Sequence, residues 1–142
     1  MRTKEQVIWD FVQEWLRKAD NDLRAARFLL EKEFQNYEAS AFHAQQCAEK
    51  AIKAYLVRHQ VEFPKTHDIR RLRKLVASID CSFAEALREA DMLSPYAVEF
   101  RYPGDLEPID KNTALDAINV AQKVNDIVRE KLAEYLKKGR PI

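Results

Sequence analysis

The sequence predicts an all-α protein, an up-and-down antiparallel bundle of about five helices that forms a single domain over residues 1–142. Hydrophobic residues make up 46% of the chain and charged residues 33%, a composition typical of helices with one face in a core. Only two glycines and five prolines are present, so the chain has few places to turn. Apolar residues recur at steps of three and four, and no internal repeat or linker interrupts them.

The first helix is predicted from about Lys4 to Glu33, where no Gly or Pro interrupts the apolar period. Its apolar face is Leu16, Ala19, Leu23, Ala26 and Leu30. The polar pair Gln35-Asn36 allows a turn, and a second helix is predicted from about Tyr37 to His59. Its face is mostly small, which permits close approach of a neighbouring helix: Ala41, Ala44, Ala48, Ala51, Ile52 and Tyr55.

The third predicted helix is short and runs from His67 to about Ser78. Pro64 keeps the residue before it out of the helical region, and Thr66 is the expected N-cap. This arrangement would place His67 at a helix start, where free N–H groups favour an anion.

A fourth helix, capped by Ser82, is expected to reach about Tyr96 or Phe100, with a kink or restart at Pro95. The last helix should begin after Asp110 or Asn112 and end near Gly139. Its predicted core face is Leu115, Ile118, Ala121, Val124, Val128, Leu132 and Tyr135.

Composition excludes several classes of protein. With Gly104 and Gly139 as the only glycines, Walker and Rossmann phosphate loops are excluded. Cys47 and Cys81 lie outside any CxxC motif, so neither a zinc site nor a disulfide framework is indicated, and both are expected to be buried free thiols. No signal peptide or membrane-length apolar run is present, which predicts a cytoplasmic protein without membrane association.

The net charge of +1 hides a local excess: residues 50–74 carry eight lysines and arginines against two acidic residues. If an anion binds, we expect it to bind there. One stripe of the second helix carries His43, Gln46, Lys50, Lys53 and Val57 at steps of three and four, and it could meet a phosphate or a base. The alternative is a solvated face, or lysines whose stems pack between helices.

A second candidate cluster lies at the end of the fourth helix. Tyr96, Phe100, Arg101 and Tyr102 offer aromatic faces beside a guanidinium that could grip a phosphate. The alternative is a Pro-Gly turn covered by aromatic residues. The dipeptide His67-Asp68 resembles that of metal-dependent phosphohydrolases, but further ligands at suitable spacing are missing, so no metal or other cofactor is predicted.

Three blocks of the chain carry a family resemblance: WLRKADNDLRAARFLLE, FHAQQCAEKAIKAYLVRHQVEFPKTHDIRRL and YAVEFRYPG. They resemble the HEPN family over roughly Trp15 to Tyr135. The resemblance implies a bundle of about five helices, commonly a homodimer, encoded beside a minimal nucleotidyltransferase in two-gene systems that often act as toxin and antitoxin. It also implies a ligand groove formed by Gln46, Lys50, Lys53, His67, Arg101 and Tyr102.

Many HEPN proteins are metal-independent ribonucleases with an arginine and a histidine separated by four to six residues. This chain departs from that pattern, because no histidine follows Arg101 and eight residues separate Arg58 from His67. The first hypothesis is therefore a module that binds a nucleotide or a nucleic-acid phosphate. One alternative is a ribonuclease toxin in which folding or dimerisation brings Arg101 and His67 together, with His67 as general base. The other is a non-catalytic interaction scaffold.

Overall fold

The computed structural model describes residues 1–98 and 108–142, and within them all regular structure is helical, which confirms the predicted all-α class. Six α-helices and one 3₁₀ helix occur in these residues: α1 (Lys4–Phe28), α2 (Tyr37–Arg58), α3 (Ile69–Ala77), α4 (Cys81–Ala86), the 3₁₀ helix (Arg88–Tyr96), α5 (Lys111–Lys131) and α6 (Ala133–Lys138).

Helix α2 lies at the centre of the bundle and packs against α1, α3, α5 and the 3₁₀ helix. Its predicted small face is confirmed, because Ala41, Ala44, Ala48 and Ala51 are fully buried. Buried positions also extend around most of its circumference, including Glu49. The central helix therefore brings polar side chains into a largely apolar interior.

Helix α1 begins where predicted but ends earlier. Thr3 caps it, and the side chains of Thr3 and Gln6 each accept a hydrogen bond from the other's backbone N–H. The helix ends at Phe28 rather than near Glu33. The Asn36 N–H donates to the Leu29 carbonyl over 2.9 Å, which closes a turn in place of the last predicted helical turn.

The start of α3 corrects a predicted cap. The Asp68 side chain, not that of Thr66, accepts from the Arg71 N–H at the helix N-terminus. Thr66 instead accepts from the Asp68 N–H over 3.1 Å, which tightens the turn before the helix. His67 consequently precedes the cap, and the prediction that it stands at the helix start is wrong.

The predicted fourth helix is two elements. Asp80 rather than Ser82 caps α4, and the Ser82 hydroxyl donates to Asp80 over 2.8 Å. The α-helix ends at Ala86, and the chain continues after Leu87 as a 3₁₀ helix that contains Pro95. The break therefore lies well before the proline. The Leu87 N–H is shared between the carbonyls of Phe83 and Ala84, which begins the tighter winding.

Asp110 caps α5 as predicted, accepting from the Thr113 N–H over 2.8 Å. Leu115 was expected in the core but is 37% exposed, since the buried positions at this end are Ala114, Ala117 and Ile118. Leu132 interrupts the last predicted helix and separates α5 from α6. In the described part of the chain, no helix is both long and apolar enough to cross a membrane.

Candidate functional site

A buried carboxylate organises the most polar part of the interior. Glu49, 2% exposed, accepts a hydrogen bond from Lys53 Nζ on Oε1 over 2.7 Å. Its other oxygen, Oε2, lies 3.0 Å from His67 Nδ1, 3.1 Å from Gln46 Nε2 and 3.3 Å from Gln45 Nε2. We call these five residues the Glu49 cluster. Three of the four side chains that contact Glu49 lie on α2 itself, and the fourth, His67, lies in the segment before α3.

The backbone of His67 is held by the same cluster. Gln45 Nε2 donates to the His67 carbonyl over 2.9 Å, and Gln45 Oε1 accepts from Gln46 Nε2 over 2.6 Å. Both glutamines are buried, so these bonds are shielded from competing water. The position of His67 is therefore fixed by its main chain and by its ring.

Two aromatic rings lie close to the Lys53 ammonium. Nζ lies 5.3 Å from the ring centre of Trp15 on α1 and 5.5 Å from that of Phe63. Both separations suit cation–π attraction. Lys53 is consequently buried with its charge balanced by Glu49, and the described structure does not present it to solvent as a free phosphate ligand.

A second ionic cluster joins α1 to α2. Asp22 Oδ1 lies 2.9 Å from His43 Nδ1, and Oδ2 lies 2.5 Å from Lys50 Nζ. Burial by itself would raise the pKa of Asp22, but the hydrogen bonds from His43 and Lys50 outweigh it and the pKa is lowered. Lys50 is thus held by a carboxylate that lies one helix away.

An open pocket of about 390 Å³ adjoins His67, and its lining also includes Asp68, Arg70, Ser94 and Ala97. We call it the His67 pocket. The His67 side chain is 64% exposed even though Nδ1 is bound to the interior. Asp91 is held by Arg73 through two hydrogen bonds of 3.0 and 2.8 Å, whereas Arg70 contacts it only at 3.5 Å. Arg70 is also largely exposed, so it can turn donors toward the pocket.

The predicted ligand residues divide into three groups. Gln46, Lys53 and His67 come together around Glu49, whereas Lys50 belongs to the Asp22 cluster. Arg101 and Tyr102 lie outside the described residues. His43, which belongs to the same predicted stripe of α2, also contacts Asp22.

Sequence reasoning missed the two carboxylates, Glu49 and Asp22, that hold these groups. A usable signal existed for Glu49: it is an acidic residue on an alanine-rich helix, four positions before Lys53 and three after Gln46. No comparable local signal marked Asp22.

The described residues contain no group of three or more His, Cys, Asp or Glu side chains placed to hold a metal ion. Of the two thiols, Cys47 is buried as expected, but Cys81 is exposed, which corrects the expectation that both are buried. Burial raises the pKa of the Cys47 thiol to about 12, so it stays protonated and is a poor nucleophile.

Comparison with known proteins gave one family model, described as the HEPN domain, which matches residues 12–131. A protein of Methanocaldococcus jannaschii named "Putative toxin MJ1304" is 29% identical over 140 residues, covering 85% of this chain and 90% of that protein.

Two crystal structures are similar in fold. The protein TT1696 from Thermus thermophilus is 33% identical, with a TM-score of 0.69, and the match covers 85% of this chain and 98% of that one. ST0689, described as an archaeal HEPN homologue, is 26% identical with a TM-score of 0.62, and the match covers 85% and 97% of the two chains.

Proposed function

This chain belongs to the HEPN family, and on that basis we propose that it is the toxin-like member of a two-gene system. We propose further that this protein binds the phosphate of a nucleotide or of RNA in the His67 pocket. The relative from Methanocaldococcus jannaschii, whose name describes a toxin, supports the toxin-like role. In this proposal the partner is a minimal nucleotidyltransferase and the protein acts as a homodimer in the cytoplasm.

The observation that carries the proposal is an exposed histidine, anchored to a buried carboxylate, beside an exposed arginine. Glu49 holds one edge of the His67 ring, while the side chain is largely exposed and lines the pocket. Arg70 lines the same pocket and is weakly engaged by Asp91. A guanidinium with free N–H donors can grip a phosphate in a bidentate manner.

The other predicted ligand residues take different parts in this proposal. Gln46 and Lys53 hold His67 and its carboxylate in place, whereas Lys50 is paired with Asp22 and supports the packing of α1 on α2. Arg101 and Tyr102 follow Ala97, a lining residue of the pocket, by four and five positions in the sequence. We propose that they complete the site, with Tyr102 stacking on a base.

Calorimetric titration with ATP and with a short RNA tests the binding. Saturable binding is expected for the unaltered protein, with an affinity at least tenfold lower in His67→Ala, Arg70→Ala and Arg101→Ala. Arg88→Ala is the matched control, because Arg88 is an exposed arginine paired with Glu85. The affinity should also fall as salt increases, since phosphate contacts release counterions. Absence of binding to either ligand would contradict the proposal and favour the scaffold alternative.

The proposed partnership requires that a neighbouring gene encode a minimal nucleotidyltransferase, and it is tested by co-expressing that protein with this chain. We expect the two proteins to copurify and the partner to relieve growth inhibition caused by this chain. Sedimentation of the isolated chain should give twice its 16.6 kDa mass if it is a homodimer. A monomer, or an unaltered growth rate on expression, would count against these parts of the proposal.

A ribonuclease is the second candidate, because His67 combines an anchored ring with an accessible pocket beside Arg70. Metal-independent cleavage would use His67 to take the proton of the RNA 2′-hydroxyl, with Arg101 stabilising the charged phosphorane. RNA cleavage that persists in EDTA and is lost in His67→Ala, with the helical circular-dichroism signal unchanged, would favour this candidate. RNA that is bound but not cleaved would favour the binding function over the ribonuclease.

A further inference from the structure

The hydrogen bonds of Glu49 determine which nitrogen of His67 carries a proton. An ionised carboxylate only accepts, and Glu49 has the surroundings of one, with Lys53 and two buried amides donating to it. His67 Nδ1 lies 3.0 Å from Oε2 and 3.4 Å from Gln46 Nε2. The shorter contact is to an oxygen that can only accept, and Gln46 Nε2 already donates to Glu49 and Gln45, so we infer that the ring donates from Nδ1. In the neutral imidazole the second nitrogen then carries no proton.

The remaining nitrogen, Nε2, lies on the side of the ring away from Glu49. Because the main chain of His67 is also tied to Gln45, the ring cannot turn over without losing its bond to the buried carboxylate. Such a bond from one ring nitrogen is how a histidine tautomer and orientation are fixed in proteins. The lone pair of Nε2 is therefore available to a group in the His67 pocket.

A purely structural role does not account for the full set of contacts. An ion pair with Lys53 requires only one oxygen of Glu49, and Lys53 donates its hydrogen bond to Oε1. The second oxygen collects His67 and the two glutamines. Burying a carboxylate and an ammonium costs free energy that an apolar pair of similar volume would not cost. The cluster is thus arranged around the histidine and not only around its own ion pair.

We propose that Glu49 is a positioning residue that fixes His67 in the Nδ1–H tautomer, so that Nε2 accepts a hydrogen bond from a ligand. The ligand class that fits presents a hydroxyl or amino donor to Nε2 and its phosphate to Arg70. This inference rests on the proposed function in one respect, namely that the ligand enters the His67 pocket. The tautomer itself belongs to the protein without ligand.

Nitrogen-15 NMR of the histidine rings at pH 8, in the protein without ligand, measures the tautomer directly. The unaltered protein should show His67 protonated on Nδ1, with the resonances assigned through His67→Gln. In the double variant Glu49→Leu/Lys53→Met, which leaves no hydrogen-bond acceptor at position 49, the His67 signals should shift toward the Nε2–H form. The double variant removes both charges together, because Glu49→Leu alone would leave a buried ammonium without its partner.

The chain supplies two matched controls. His43 is held through Nδ1 by Asp22, so its signals should not move in the double variant. Asp68→Asn removes a carboxylate next to His67 that does not contact its ring, and should leave the tautomer unchanged. If His67 is protonated on Nε2 in the unaltered protein, or keeps the Nδ1–H form in the double variant, the inference is overturned.

Binding then separates this inference from the proposed function. We expect the double variant to bind ATP or RNA at least tenfold more weakly, and Asp116→Asn, which removes an exposed carboxylate on α5 outside the pocket, to bind as the unaltered protein does. The expected tautomer together with no binding by the unaltered protein would overturn the proposed function but not the role of Glu49. Normal binding with the wrong tautomer would overturn the role of Glu49 alone. If the double variant does not fold, the tautomer of the unaltered protein decides.

Discussion

The two cysteines should differ in reactivity, because one thiol is buried and the other is exposed. Burial raises the pKa of Cys47 to about 12, whereas Cys81 is exposed at the start of α4. We therefore expect a thiol reagent at pH 8 to modify one thiol per chain in the folded protein and two in guanidinium chloride. Cys81→Ser should abolish the first reaction. Two rapidly reacting thiols in the native protein would contradict the burial of Cys47.

Asp22 predicts a pH dependence of stability. Its pKa in the folded state is lowered, so the stability it contributes is complete above its unfolded pKa of about 4 and is lost as the pH falls through the folded value. Asp22→Asn should lower the free energy of unfolding by about 2 kcal/mol at pH 7, because the charged hydrogen bond between the Asp22 carboxylate and the Lys50 ammonium is lost and the contact with His43 is weakened. This difference should shrink below pH 4.

Urea denaturation at pH 7 and pH 3 measures the effect of Asp22→Asn. Asp116→Asn is the control, since Asp116 is an exposed carboxylate on α5, and its substitution should change stability by less than about 0.5 kcal/mol at either pH. A difference for Asp22→Asn that is the same at both pH values would show that its charge does not stabilise the fold.

Among the helices, α3 has an N-cap that controls the segment leading into the candidate site. Asp68→Ala removes the acceptor for the Arg71 N–H and should cost about 1 kcal/mol of stability in urea denaturation. Asp68→Asn keeps a capping oxygen and should cost much less. Equal urea midpoints for the alanine variant and the unaltered protein would mean that the cap contributes little to the stability of the fold.

Local signals predicted some helix bounds well. Helix α2 was expected from Tyr37 to His59 and runs from Tyr37 to Arg58, and the Asp110 cap of α5 was among the two predicted. Both rest on turn-forming and capping residues adjacent in sequence. The early end of α1 and the division of the fourth helix at Leu87 depend on how segments fold back and pack. Periodicity alone does not contain that information.

At the scale of the whole molecule, only some of the residues that were predicted to form one ligand site lie together in the structure. The α2 stripe correctly drew attention to Gln46 and Lys53, which share the Glu49 cluster with His67. It did not reveal that Lys50 is bound to Asp22, because that contact joins residues 28 positions apart on two helices. Charge counts treat every lysine as available, whereas tertiary structure pairs some of them with carboxylates.

The central position of α2 has a consequence for the order in which the chain folds. Helices α1 and α2 are connected by a short turn, so their mutual contacts can form early at a small cost in loop entropy. Helix α5, which also packs on α2, begins about fifty residues after α2 ends, and closing that loop takes longer. Ala48→Gly on α2 should therefore slow refolding, whereas Val124→Ala on α5 should mainly accelerate unfolding.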